Sequence, residues 1–146
     1  MITIRDATPE DADQLSPLLE ALGYPTEPGT LGLRLRDLIA HDPTGRVLVA
    51  VQGPELLGFA TQHGTPVLHR PTPVGRITGL AVRPGARGSG AGRMLVEAAE
   101  SHCRALGWAR LEVTSGPTHQ AAYDFYRHLG YQDHGVRFAK PLLAPA

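Results

Sequence analysis

The segment from Gly75 to Gly92 constrains the fold most, because an apolar run, a proline and a glycine-rich turn follow one another there. Arg83-Pro84 predicts the end of a β-strand, since the residue before proline avoids the helical region and proline has no N–H to donate. The turn that follows holds three glycines at alternate positions, Gly88, Gly90 and Gly92. Glycine has no Cβ, so the chain can turn sharply and a ligand can approach the backbone closely. A helix is expected next, and the unpaired N–H groups of its first turn favour an anion, to which Arg87 adds a formal charge.

The spacing of the glycines can be compared with the motifs of known phosphate-binding sites. A P-loop would end in Gly-Lys-Ser/Thr, whereas Gly92 is followed by Arg93 and Met94. The dinucleotide fingerprint G-x-G-x-x-G would need a glycine at position 93. Its ribose-binding acid would be Glu112, which stands inside a predicted strand rather than at its end. A nucleotide-binding enzyme therefore remains as a third alternative.

The turn matches the pattern R-x-x-G-x-G, which runs from Arg87 through Gly90 to Gly92. A second segment, from His119 to Tyr131, reads H-Q-A-A-Y-D-F-Y-R-H-L-G-Y. In these two segments the sequence resembles the GNAT superfamily of acyl-CoA-dependent N-acetyltransferases, whose second motif often reads N-x-x-A-x-x-x-Y-x-x-x-G-F/Y. Four positions of that motif match, namely Ala122, Tyr126, Gly130 and Tyr131. His119 stands where asparagine is usual.

The resemblance implies an α+β fold in which helices flank a central, twisted, mixed β-sheet in the order β-α-α-β-β-β-α-β-α-β. It covers nearly the whole chain, so we expect residues 1–146 to form a single N-acetyltransferase domain. Alternating apolar residues and turn signals indicate most of the strands, and the resemblance suggests the last one. The predicted strands are Ile2–Arg5, Arg46–Val51, Glu55–Gln62, the run holding Ile77, Leu80 and Val82, Arg110–Thr114 and Arg137–Leu142.

Helices are predicted between these strands. Thr8-Pro-Glu-Asp11 is typical of a helix start, Leu31–Ile39 forms a second helix, and Gly107 ends a third. A loop rich in proline and glycine is expected from His63 to Val74. The helical residues predicted to face the core are Leu15, Leu18, Leu19, Leu22, Leu31, Leu35, Leu38, Ile39, Leu95, Ala99, His102 and Leu106.

Composition excludes several classes of protein. The 14 basic and 14 acidic residues balance, so nothing indicates nucleic-acid binding. The single cysteine, Cys103, excludes an internal disulfide and a cysteine-based metal cluster, and we expect it to pack in the core. The histidines show no metal-ligand spacing, so we predict no metal. No leader or membrane-spanning run is evident, so a cytoplasmic protein, monomeric or homodimeric, is expected.

Acetyl-CoA is the co-substrate that the resemblance implies. By resemblance, the backbone of Leu80, Ala81 and Val82 binds the pantetheine arm, and one N–H polarises the thioester carbonyl. The pyrophosphate would be held by the turn and the start of its helix, at Arg87, Gly88, Ser89, Gly90, Ala91, Gly92 and Arg93. His119 is interpreted as a further cofactor contact. Tyr126 would be the catalytic general acid that protonates the CoA thiolate, the alternative being a core aromatic residue.

The general base is an open question at the level of sequence. Many relatives carry a glutamate near the positions of Thr78 and Gly79, whereas this chain has no carboxylate between Gly75 and Gly92. The base could be a water relayed through backbone groups and Thr78, or a histidine such as His63 or His119. The third alternative is an acceptor amine whose pKa is low enough to need no base.

The acceptor is predicted only as a class, a small-molecule amine or a peptide N-terminus. Arg34, in the segment from Tyr24 to Asp37 that selects the acceptor in the family, could bind an anionic acceptor or simply lie on a solvated helix face. Two hypotheses therefore lead. The first is an acetyl-CoA-dependent N-acetyltransferase that works by direct attack of the amine. The second is a non-catalytic acyl-CoA-binding or sensing domain on the same fold.

Overall fold

The structure, a computed structural model, describes residues 1–114, 120–135 and 137–143. Contacts within the chain divide it into two units, Met1–Val113 and Thr114–Ala146. No helix in the described parts of the chain is both long and apolar enough to cross a bilayer.

The first unit is built on a five-stranded sheet whose strands follow one another in sequence order. The strands are β1 (Thr3–Asp6), β2 (Arg46–Gln52), β3 (Glu55–Thr65), β4 (Val74–Val82) and β5 (Arg110–Val113). The first four pair antiparallel, and β4 pairs with β5 in parallel. A parallel pair needs a crossover, which is supplied here by helix α3 (Ala91–Ala105). The mixed sheet expected from the resemblance is therefore formed.

Helices α1 (Ala12–Ala21) and α2 (Pro28–His41) pack on one face of this sheet. The core between them is made of buried apolar residues, among them Leu15, Leu31, Leu35, Val49 and Phe59. Since side chains alternate along a strand, Leu48 lies on the opposite face. Helix α3 packs there, and its buried residues include Leu95, Val96, Ala99 and Cys103. The prediction that Cys103 packs in the core is confirmed.

Several predicted details of the helices and loops are wrong. Three residues predicted to face the core are exposed, Leu22 at 43%, Ile39 at 50% and Leu106 at 41%. Each lies in the last turn of its helix or directly after it. Helix α2 begins earlier than predicted, since the Glu27 carboxylate accepts hydrogen bonds from the amides that follow it. Strand β3 runs on to Thr65, so His63 lies in a strand.

In the second unit, helix α4 spans Gln120–His128 and ends at Gly130, whose φ of +93° is the left-handed conformation that favours glycine. The predicted last strand, Arg137–Leu142, is not formed, because residues 137–143 lie in no strand. Pro141 has no N–H to give to a ladder. The side chains of Phe138 and Leu142 are 91% and 87% exposed, so no burial stabilises an extended conformation.

Candidate active site

The glycine-rich segment forms the predicted turn between β4 and α3. A single 3-10 turn at Pro84–Ala86 follows the strand, and the Ser89 amide donates to the Ala86 carbonyl at 3.1 Å. Gly88 and Gly90 have φ values of +80° and +92°. These are left-handed conformations that a residue with a Cβ adopts only at a cost, which explains the glycines in physical terms.

The turn leaves backbone N–H groups facing open space. The Met94 amide donates to the Gly90 carbonyl at 3.0 Å, which closes the first turn of α3. Within the described residues, the amides of Gly88, Gly90, Gly92 and Arg93 donate to no protein acceptor. A Cβ placed on Gly88 or Gly90 would meet no atom within 4 Å. The donors of a helix N-terminus are thus accessible to an anion, as a pyrophosphate site requires.

The arginines of the turn differ in what they contact. The Nε of Arg93 lies 3.1 Å from the Glu97 carboxylate, one helical turn further along α3. Arg87 is exposed and forms no ion pair among the described residues. Its guanidinium can therefore approach an anion bound in the turn.

Strand β4 continues beyond the point where β5 ends. Their pairing covers only Val74–Ile77 with Arg110–Val113. Farther along, Leu80, Ala81 and Val82 still pair with β3, while their other edge has no strand partner in the described part of the chain. An extended ligand can hydrogen-bond to such an edge as an added strand would.

A β-bulge lies immediately before this free edge. Thr61 pairs with Gly79 and Gln62 pairs with Ile77, so Thr78 is an extra residue on β4. The side-chain oxygens of Thr78 and Thr61 are 2.8 Å apart. Bulges are common next to active sites because they re-aim a side chain. Here the bulge brings the hydroxyls of Thr61 and Thr78 together beside the free edge.

Tyr126 belongs to the second unit, on α4. Its ring packs edge-on against Phe125 and Tyr131, with centroid distances of 5.1 and 5.9 Å. Burial raises the pKa of the Tyr126 phenol to about 12, because the charged phenolate loses hydration. The phenol is therefore neutral and able to donate a proton throughout the physiological range. His119, the expected neighbour of the cofactor, lies outside the described residues.

His63, one of the predicted bases, is placed away from the free edge of β4. Its Nδ1 lies 2.8 Å from Asp42 Oδ2, in a cavity of about 320 Å³ that Arg46 and His102 also line. His63 pairs with Arg76 on β4, four residues before Leu80, which corresponds to roughly 13 Å along the strand. Asp42 could not be predicted as the partner of His63, because it is 21 residues away along the chain.

The site thus combines a cradle of free amides, an unpaired strand edge and a bulge. A family model described as Acetyltransferase (GNAT) family matches residues 12–131. The chain belongs to this family of acetyltransferases. The fold and the order of its elements, apart from the last predicted strand, agree with the resemblance seen in the sequence.

Individual relatives add detail. A mycothiol acetyltransferase from Streptomyces avermitilis is 34% identical over 139 residues, which cover 91% of this chain and 44% of the relative. The mycothiol acetyltransferase of Streptomyces scabiei is 33% identical over 136 residues, covering 89% of this chain and 42% of the relative. The chain therefore spans less than half the length of these curated relatives. A crystal structure of a transcriptional regulator from Bacillus halodurans C-125 superposes with a TM-score of 0.84 at 25% identity, covering 96% of this chain and 100% of that one.

Proposed function

We propose that this chain is an N-acetyltransferase that moves the acetyl group of acetyl-CoA to a primary amine by direct attack of the amine. The single observation that carries the proposal is the cradle of free amides from Gly88 to Arg93, which follows the unpaired edge of β4 within one unit. Membership of the GNAT family supports it. We also propose that residues 1–146 act as one domain, because the family match runs through parts of both units.

The residues of the first unit fit an acyl-CoA. The turn from Arg87 to Arg93 would hold the pyrophosphate through backbone N–H groups and the Arg87 guanidinium. The edge of Leu80–Val82 would hydrogen-bond to the amides of the pantetheine arm, and one N–H of this edge would stabilise the developing oxyanion. When bound, acetyl-CoA supplies an acetyl group activated as a thioester, so an attacking amine exchanges a C–S bond for an amide C–N bond.

Two protons have to be moved in this reaction. Tyr126 would give its phenolic proton to the departing thiolate and recover one from solvent. Its raised pKa keeps the proton on the phenol before the reaction. Because a thiolate is a weaker base than this phenolate, the proton would pass to sulfur in concert with cleavage of the C–S bond. We propose His119 as a further contact of the cofactor, on the resemblance alone.

The proton of the amine would leave through water bound at the hydroxyl pair of Thr61 and Thr78. Hydroxyls both donate and accept, so the pair can orient a water without itself titrating. Such a relay is a weak base. The proposal therefore favours acceptors of which a substantial fraction carries a deprotonated, neutral amine at the pH of the reaction.

The second candidate function is a non-catalytic acyl-CoA-binding or sensing domain. One observation favours it, the absence of a carboxylate between Gly75 and Gly92. Both candidates predict binding of acetyl-CoA, and only the first predicts release of CoA thiol when an amine is added.

Calorimetry and a thiol-release assay together test the proposal. Acetyl-CoA is expected to bind, whereas NAD and ATP are not, and a panel of amines and short peptides should include some that release thiol. Preferred binding of NAD or ATP would overturn the assignment of the cradle. If acetyl-CoA binds but no amine causes release of CoA thiol, the transferase proposal is contradicted and the acyl-CoA-binding or sensing domain is favoured.

A further inference from the structure

A cluster of charged side chains lies on β4 and β5, apart from the residues assigned above. Arg76 Nη2 is 3.3 Å from the Glu112 carboxylate, and Arg110 Nε is 2.7 Å from the same group. Arg70, in the loop before β4, acts on it electrostatically. The hydrogen bond from Arg110, together with the charges of the three arginines, holds the pKa of Glu112 below its usual value.

The cluster carries an excess of positive charge. Glu112 stays ionised at neutral pH and neutralises one of the three arginines that surround it. The side chains of Arg76 and Arg110 are 52% and 31% exposed, so solvent and ligands can approach them. Glu112 also fixes the orientation of both guanidinium groups, which lowers the entropy that each would lose on binding an anion.

The register of the strands places this cluster beside the bulge. Arg76 lies between His63 of β3 and Glu112 of β5. His63 is two residues from Thr61 and therefore on the same face, which is also the face where Thr61 meets Thr78. Arg76 precedes Thr78 by two residues, or roughly 7 Å along the strand. An acceptor whose amine lies at the bulge can therefore place a second group on the guanidinium of Arg76.

We propose that this cluster, defined by Arg70, Arg76, Arg110 and Glu112, recognises an anionic group on the acceptor amine. The acceptors would be amines that carry a carboxylate or a phosphate a few bonds from the nitrogen. Arginine binds both anions through paired N–H donors, so the cluster suits either. The inference rests on the proposed function for its use in catalysis, while the binding of the anion itself does not.

Matched acceptors test the proposal. Two pairs of acceptors are compared. β-Alanine and β-alaninamide differ in a carboxylate, and O-phosphoethanolamine and ethanolamine differ in a phosphate. kcat/KM from thiol release is measured with the full chain, with Arg76→Gln and with Glu112→Gln. Arg104→Gln is the matched control, since Arg104 lies on α3, is 74% exposed and forms one ion pair within the described residues, with Glu100 at 4.0 Å. Thermal unfolding of each variant checks that it folds.

The wild type is expected to prefer the anionic member of at least one pair by about tenfold, the factor that 1.4 kcal/mol provides. Arg76→Gln should lose this preference and Arg104→Gln should keep it. Glu112→Gln should keep it, because the glutamine oxygen can still accept hydrogen bonds from the arginines while a negative charge that competes with the anion is removed. A purely structural role of the cluster predicts the opposite, an equal loss in Arg76→Gln and Glu112→Gln.

Calorimetric titration with β-alanine and O-phosphoethanolamine, without acetyl-CoA, separates the two proposals. If no amine releases thiol but Arg76→Gln abolishes binding of one anion, the proposed anion site is supported and the proposed transferase activity is contradicted. If the wild type treats both members of both pairs alike in turnover and in binding, or if Arg76→Gln retains the preference, the anion site is overturned.

Discussion

Thr61 and Thr78 meet across β3 and β4 with 2.8 Å between their side-chain oxygens, at the point where the bulge adds one residue to β4. The segment from Gly75 to Gly92, which includes Thr78, contains no carboxylate. Because neither hydroxyl ionises near neutral pH, any help they give to the loss of a proton has to pass through water. This feature distinguishes the chain from a GNAT enzyme with a built-in carboxylate base.

Thr78→Val is expected to lower kcat by about tenfold, less than the hundredfold or more that loss of a full general base costs. Valine has the same shape but cannot orient a water, while the backbone of the free edge is unchanged. Binding of acetyl-CoA measured by calorimetry should therefore stay as in the wild type. Thr65→Val, at the exposed end of the neighbouring strand β3, is the control. Equal turnover of Thr78→Val and Thr65→Val would exclude the water relay.

Tyr126→Phe is expected to reduce kcat by about a hundredfold, with little change in the KM for acetyl-CoA, because only the proton of the phenol is lost. The pKa of about 12 keeps this proton on the phenol, so the wild-type rate should show no alkaline loss from Tyr126 below roughly pH 11. Steady-state kinetics from pH 6 to 10 measure both effects.

Tyr123→Phe is the matched control for this experiment, since Tyr123 lies one turn earlier on α4 and its hydroxyl donates to Asp133 and accepts from Arg127. It should retain turnover while losing some stability. Full turnover of Tyr126→Phe would assign Tyr126 to packing alone.

Gly90→Ala is expected to weaken binding of acetyl-CoA and to destabilise the protein by about 1–2 kcal/mol. Alanine in the left-handed conformation at φ +92° is strained, and relief of that strain would move the free amides of the cradle. Gly85→Ala lies in the same turn, without a positive φ and with open space around its Cβ, and should change neither quantity. If Gly90→Ala and Gly85→Ala bind acetyl-CoA equally, the cradle does not hold the cofactor.

Local signals predicted most of the fold. The strand, proline, glycine turn and helix between Val74 and Ala105 follow from backbone restrictions that neighbouring residues impose on one another. The left-handed glycines at 88 and 90 belong to this group. For the same reason, the sequence predicted the position of the glycine-rich turn and of the helix that follows it.

Pairings between distant residues could not be predicted in this way. The contact of His63 with Asp42 depends on how far β3 continues and on where α2 ends, and neither is encoded locally. The bulge at Thr78 and the ion pair of Arg76 with Glu112 likewise depend on strand register. The prediction of the last strand was wrong although its local pattern is compatible with a strand. Residues 137–142 pair with no strand in the described structure.

His63→Gln is expected to keep the kcat of the wild type and its dependence on pH, because the structure places His63 beside Asp42 rather than at the free edge of β4. It should reduce stability, since Asp42 loses the hydrogen bond that lowers its pKa. Kinetics from pH 5.5 to 8 and thermal unfolding measure the two effects. Loss of a step in the pH–rate profile of this variant, relative to the wild type, would restore His63 as the base.

Asp11 offers a test of the fold that is independent of catalysis. Its carboxylate is 7% exposed and accepts hydrogen bonds from both terminal nitrogens of Arg5 and from the Thr8 amide, each at 2.8 Å. The bond from Arg5 is the largest cause of its lowered pKa. Because the folded pKa lies below the unfolded one, the stability this group contributes is present above about pH 4 and is lost as the pH falls through the folded pKa.

Asp11→Asn should therefore lower the free energy of unfolding by about 1–3 kcal/mol at pH 7, since the charge that strengthens the hydrogen bonds from Arg5 and Thr8 is lost. The difference from the wild type should shrink as the pH falls below about 4 and the wild-type carboxyl becomes protonated at its lowered folded pKa. Urea unfolding at pH 7 and pH 3 measures it, with Asp13→Asn, an exposed position in the first turn of α1, as the control. A difference that is the same at both values of pH would show that Asp11 stabilises the fold by its shape and not by its charge.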